Sequence, residues 1–218
     1  MKLTEAKGAI GFQLNCLHDV WTQKDGSFGF EWVTRVILVS TPFIYPVLYI
    51  RQAAWSLGPI SRRMVVELYV SAKILILMLI LRTTTNCHLL NIVVFYFLIE
   101  TILYLLGVIL LSDIYSTPIR TSRSFLLLIV NYVEVNLEFS ILYLASNGIV
   151  MLNDKISALY FSFVTFSTLG YGDHFPINAN SKLLVILHIM TMLLFVNLFF
   201  TNLTPRVRQE FIDREDDY

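Results

Sequence analysis

Charge is the scarcest ingredient of this chain. Asp, Glu, Lys and Arg supply 15% of its 218 residues, against roughly 25% in a soluble domain. Hydrophobic residues supply 56%. With several apolar runs of spanning length, this shortfall excludes an ordinary soluble fold and argues for an integral membrane protein. The 16 basic residues balance the 16 acidic ones. No basic block is present, which removes nucleic acid as a partner. Cysteine is limited to Cys16 and Cys87. Without a C-x-x-C or H-x-x-x-H cluster, a metal centre of those types is excluded. No basic n-region followed by a continuous apolar core occurs in residues 1–30, so no cleavable signal peptide is expected. Internal repeats and low-complexity linkers are also missing.

What is present is a series of apolar segments. The first runs from Trp32 to Ile50, with Arg35 near one end and Pro42 and Pro46 inside. Proline removes a helical hydrogen bond and clashes with the preceding turn, so a kink or break is expected there. Further spans are expected at Met64–Leu81, Leu89–Leu111, Ser124–Ala145 and Leu183–Thr201. About 20 residues at 1.5 Å per residue cover the roughly 30 Å hydrocarbon core. The polar run at 83–86 and the connector with Pro118, Arg120 and Arg123 separate them.

Residues 155–167 differ. They are apolar, yet amount to about 20 Å of helix, too short to cross. Asn153 or Asp154 is a suitable N-cap. A helix that enters part-way and returns as extended backbone is a re-entrant loop. Such backbone survives at membrane depth only if buried in protein or lining a watery cavity.

Directly after this segment stands Thr168-Leu169-Gly170-Tyr171-Gly172-Asp173. An ion leaving water loses a large solvation energy, of order 20 kcal/mol for an ammonium-sized ion in the idealised limit. Rings of backbone carbonyls can replace the lost shell. Lining a pore with carbonyls requires conformations with φ > 0, which glycine permits, and Gly170 and Gly172 stand at alternate positions. The motif, the capped short helix before it, Pro176 after it and a span on each side resemble the pore loop of potassium channels. The resemblance covers about Ser124 to Thr204.

That resemblance implies an all-α integral membrane protein with a tetrameric cation-channel pore and a re-entrant pore helix. It implies residues 124–204 as pore domain, with outer helix, pore helix 155–167, filter 168–173 and inner helix. Thr168, Leu169, Gly170 and Tyr171 would hold K+ through their carbonyls, with Gly172 completing the filter. Tyr171 would wedge against a collar of Tyr160, Phe161 and Phe163, and Asp173 would sit behind the outer mouth. Many family members carry an indole at the position of Tyr160, donating to the filter Asp; here a phenol hydroxyl must reach Asp173. Val164 stands where some members carry a glutamate tied to that Asp, and it cannot make that bond. Fewer restraints on Asp173 would leave the filter prone to inactivation. The inner helix lacks the usual hinge glycine, with Met192 near that position. One chain provides one loop while a ring needs about four, so three identical subunits are the implied partners. Bound K+ in the filter is expected and no other cofactor. No catalysis is expected.

Upstream, residues 1–31 form an N-terminal polar or amphipathic segment and 32–112 three helices of unassigned role. No arginine recurs every third residue, so these helices are unlike a voltage sensor, in which several charges must cross the field. Lys73 is expected to pair with Glu100 between two spans. Glu134 and Glu138 lie one turn apart and are expected to form a polar face toward neighbouring helices, with a regulatory cation site as the alternative. Val196, Asn197 and Phe200 are candidates for lining the cavity, and Asn197 and Asn202 could equally bond between helices. His174 is expected to be solvated and His188 to be a satisfied packing residue. Residues 205–218 form a short charged tail.

If the filter opens outward and the inner helix ends inside, five spans put the N-terminus outside. Arg51, Arg62, Arg63, Arg120, Arg123, Arg206 and Arg208 then fall inside, while Lys2, Lys7, Lys24, Arg35 and Arg82 fall outside, a weak positive-inside bias. If the proline-broken first segment does not cross, four spans remain. Under five spans Cys16 and Cys87 share the outer side and could form a disulfide. The expected setting is the plasma membrane. The expected function is passive, potassium-selective conduction without strong voltage gating. A non-selective channel, an ion-coupled potassium transporter and a non-conducting accessory subunit are the alternatives.

Overall fold

The computed structural model of the chain describes residues 8–23, 26–83, 87–112, 114 and 121–215. The polar run at 84–86, the connector at 115–120 and the last three residues of the tail lie outside the described residues. Among the described residues the architecture is helical, with one isolated bridge between Ile149 and Pro176. Eight α-helices follow in order: α1 Ala9–Trp21, α2 Gly29–Ser40, α3 Pro46–Ala53, α4 Pro59–Arg82, α5 His88–Leu110, α6 Thr121–Ser146, α7 Lys155–Phe166 and α8 Ala179–Glu215.

Among the described residues four helices are long and apolar enough to cross a membrane: Met64–Arg82, His88–Leu110, Phe125–Ser146 and Ala179–Phe200. Each agrees with an expected span to within a few residues, because spanning length and hydropathy are local properties. The proline-rich segment is broken as expected. α2 ends in a 3-10 turn at Thr41–Phe43, Pro46 starts α3, and the two pieces bend by 59°. Pro46 lacks the N–H that would continue the earlier helix and suits the first position of the next. The pair counts as a fifth span only if both pieces form one crossing. α8 is longer than expected, continuing past Pro205 to Glu215 where a separate tail was expected.

The chain divides into two compact units, Met1–Ala72 with Ile102–Thr117 and Lys73–Thr101 with Pro118–Tyr218. In the first, Cys16, Val20, Leu38, Val39 and Leu111 form a core. The Gln13 side chain donates to the Val39 carbonyl (2.8 Å) and the Trp32 indole to the Val20 carbonyl (3.0 Å). The Val20 carbonyl at the end of α1 also accepts from the Gln23 backbone N–H (3.1 Å). Both cysteines are free thiols, Cys16 buried and Cys87 exposed. Cys16 belongs to the first unit and Cys87 to the second. Cys16 serves as a core residue, and burial, helped by Asp19, pushes its thiol up to about 11.

In the second unit α6 is the central helix. Of its spanning window 56% is buried, against 22–28% for the other three. The reason is two-sided packing. Tyr132, Phe139 and Tyr143 meet rings of α7 and α8, whereas Glu134 faces Lys73 of α4. At 100° per residue, positions 134 and 138 lie opposite 132, 139 and 143.

Candidate functional site

The short helix α7 is capped as its sequence suggests. Asp154 accepts from the Ser157 backbone N–H (2.6 Å) and hydroxyl (2.9 Å). Those bonds, the backbone one first, hold its carboxyl below the ordinary aspartate value. A carboxylate is favoured at this end of the helix dipole. Lys155 donates to the Arg82 carbonyl, tying the start of α7 to the end of α4. Ser162, fully buried, donates to the backbone (2.9 Å) and side-chain (3.2 Å) oxygens of Asn136, which locks α7 onto α6.

The chain then turns into the loop. The backbone N–H groups of Thr168 and Leu169 donate to the carbonyls of Thr165 and Val164, both at 3.1 Å. Past that point the backbone alternates: Thr168, Gly170 and Gly172 have φ of 57°, 54° and 81°. Alternation had been expected from the two glycines alone, and Thr168 extends it one step inward. A left-handed threonine is uncommon and marks local strain. A Cβ on Gly170 or Gly172 would meet nothing within 4 Å in one chain. The glycines are therefore required by conformation and not by crowding within the chain. Residues 167 to 173 are all exposed in the single chain, Leu169 at 60% and Tyr171 at 67%.

After the loop the chain returns alongside the α6–α7 connection. Val150 N–H donates to Phe175 O (3.0 Å) and Ile177 N–H to Gly148 O (2.8 Å). Asn178 then caps α8, accepting from Ser181 N–H (2.8 Å).

The collar is only partly as expected. Tyr160 stacks on Tyr171, with ring centres 6.3 Å apart and 5° between planes. Phe161 and Phe163 turn the other way, packing on Tyr143 (4.9 Å) and Tyr132 (5.7 Å) of α6. Helical spacing accounts for Phe161, which is one position from Tyr160 and cannot share its face; Phe163, three positions on, is instead engaged by Tyr132 of α6. Val164 is buried, and its carbonyl accepts from Leu169.

Asp173 does acquire a phenol partner. Desolvation pushes its carboxyl up, but the Tyr160 hydroxyl, the backbone N–H groups of Asp173 and His174 and the adjacent His174 ring together hold it below the ordinary value. It therefore stays ionised throughout the neutral range. His174 was expected in solvent and is instead tucked in. Its side chain is 11% exposed, its ring Nδ1 donates to the Val150 carbonyl (3.0 Å), and its edges meet Tyr160 and Phe161. Its backbone N–H donates to Asp173 Oδ1 (3.1 Å). The single letter H after D carries no signal of this, because its acceptor lies 24 residues upstream.

On α8, Val196, Asn197 and Phe200 are exposed in the single chain, while Phe195 and Leu198 are buried. The side chain of Asn202 lies outside the described residues. His188 is buried, stacked on Phe139 (3.8 Å), with Nδ1 sharing a 3.0 Å hydrogen bond with the Tyr143 hydroxyl. Its Nε2 has no hydrogen-bond partner, so it is half satisfied. The expected Lys73–Glu100 pair exists at 3.4 Å, but a closer carboxylate, Glu134, lies at 2.5 Å.

Residues 125–209 match the family described as "Ion channel". Potassium channel K2 of Plasmodium falciparum (isolate 3D7) is 33% identical over 105 residues, which is 48% of this chain and 6% of that protein. The chain thus spans a small part of that relative's length. No solved structure matches the chain. The matched segment coincides with most of α6, the capped α7, the alternating loop and most of α8, and over that segment the chain is similar to ion channels.

Proposed function

We propose that the chain is one subunit of a potassium-selective channel that conducts K+ passively as a homotetramer. The alternating loop carries this reading. Left-handed backbone at Thr168, Gly170 and Gly172 is what turning successive carbonyls to one side requires. The carbonyls of Thr168, Leu169, Gly170 and Tyr171 would replace water around the ion, as in other carbonyl-ring filters. Exposure of the whole loop in a single chain fits a site completed by further copies about an axis. The name of the Plasmodium relative supports K+ as the transported ion. In this reading Val196, Asn197 and Phe200 face the cavity below the filter. The filter faces outward, and α8 ends in the cytoplasm.

Strong voltage gating is not part of the reading. Lys73 is the one basic residue between the ends of the Met64–Arg82 and His88–Leu110 spans, and it is held by two carboxylates. A sensor needs several free charges, each worth about 2.3 kcal/mol per 100 mV.

The test is the reversal potential of the purified protein in planar bilayers, with K+ on one side and Na+ on the other. A value near the K+ equilibrium potential is expected. A robust current reversing near zero would establish a non-selective pore. Asp173→Asn keeps shape and removes charge from the restraint on the filter. We expect current to decay several-fold faster under sustained opening; an unchanged time course would show that the filter does not lean on this residue.

A further inference from the structure

A second charged centre lies away from the loop, on the face of α6 that looks toward α4 and α5. Lys73 Nζ is 2.5 Å from Glu134 Oε1 and 3.4 Å from Glu100 Oε2. It also donates to Thr101 Oγ1 (3.1 Å), which passes a hydrogen bond to Glu134 Oε1 (3.2 Å). All four residues are buried.

Glu138 stands one turn along α6 from Glu134 and is left out of this network. It is 0% exposed. Neither carboxylate oxygen has a hydrogen-bond partner. The charged groups acting on it are Glu134 on its own helix, Lys73 on α4 and Glu100 on α5. α7 and α8 pack on the opposite face of α6, where His188 stacks on Phe139. One ammonium therefore faces three carboxylates at the level of the hydrocarbon core. A buried charge must be paired or neutralised, and Lys73 is already shared by two of the three.

Further positive charge must come from a bound species. A coordinated metal ion does not fit, because no group of three or more His, Cys, Asp or Glu among the described residues is arranged to hold one. A proton needs no coordination shell, only one oxygen to bond to. We propose that Glu138 is a proton-binding site within the membrane. The proton comes from water, forms an O–H bond at one carboxylate oxygen, and returns to water when that bond breaks. With the proton bound, Lys73 serves Glu134 and Glu100 alone. With it lost, a third carboxylate competes for the same ammonium and loosens the tie between α4 and α6. The same stretch of α6 holds the pore helix through Asn136 and Ser162, so occupancy of Glu138 would be felt behind the filter.

The test is infrared spectroscopy of the full-length protein in lipid, with glutamate carrying carbon-13, as pH is varied. A carbonyl band of a protonated carboxylic acid that shifts with the label is expected in the wild type at neutral pH. It should be lost completely in Glu138→Gln, retained in Glu67→Gln, and replaced in Glu138→Asp by an acid band that the glutamate label does not shift. The wild-type spectrum alone can overturn the proposal, whatever the variants do. Absence of the band in folded protein would do so. Disappearance of the band when choline is replaced by Na+ or K+ would assign the compensating charge to an alkali ion. Persistence of the band in Glu138→Gln would place the acid elsewhere.

Discussion

Replacing Gly172 with alanine is expected to abolish potassium-selective current while leaving the helices and the assembly intact. At φ 81° the residue sits where side chains are disfavoured. An L-residue held in left-handed backbone loses roughly 1–2 kcal/mol. In the proposed tetramer a ring of about four loops would incur that loss at every subunit. A tenfold change in an equilibrium takes about 1.4 kcal/mol, so a filter with four such strains should abandon the conducting geometry. Gly170→Ala, at φ 54°, should behave alike. The added methyl meets nothing within its own chain at either position, so folding should be spared. The measurements are the reversal potential under K+/Na+ gradients and the size of the purified assembly. Retained selectivity in Gly172→Ala with an intact assembly would show that ions do not pass by these carbonyls. Loss of the assembly itself would mean that the loop also builds the subunit interface.

Lys73→Met should be the most destabilising single change outside the loop. It removes the one ammonium among Glu100, Glu134 and Glu138, and Glu134 is 1% exposed. Removing one partner of a buried ion pair costs about 3–5 kcal/mol, chiefly because the other charge is left stranded. The double variant Lys73→Met with Glu134→Gln should regain much of this, since replacing both partners by neutral groups of similar size is often nearly neutral. Glu100→Gln should do less harm, because Lys73 keeps its closer partner. Thermal or denaturant unfolding in detergent measures all three. Equal stability of Lys73→Met and wild type would show that the cluster adds nothing to the fold.

How the residues were readable follows from how far apart their partners lie. Hydropathy over about 20 residues located the four long spans to within a few positions. The bend between α2 and α3 was announced by Pro42 and Pro46, whose effect is exerted on neighbouring turns. Asp154 was legible as a cap because its acceptor role reaches only three residues, to Ser157. The loop was legible because two alternating glycines state the backbone conformation directly. Each of these depends on a short stretch of covalently connected chain.

What only the tertiary structure decided joins residues far apart in the chain. Lys73 chose Glu134 over Glu100 because α6 as well as α5 is brought to α4. Phe161 and Phe163 left the collar because α6 offers Tyr143 and Tyr132 on their side. His174 left the solvent because the returning chain runs beside Val150. Cys16 became a core residue beside Val39 and Leu111, which no spacing of two cysteines could indicate. The sequence by itself determined which four segments are long and apolar enough to cross a membrane and where the glycines turn the backbone left-handed, because those follow from local length, hydropathy and φ. Which buried charge and which ring meets which was left to packing, because a partner more than a few turns away is set by how whole helices fit together.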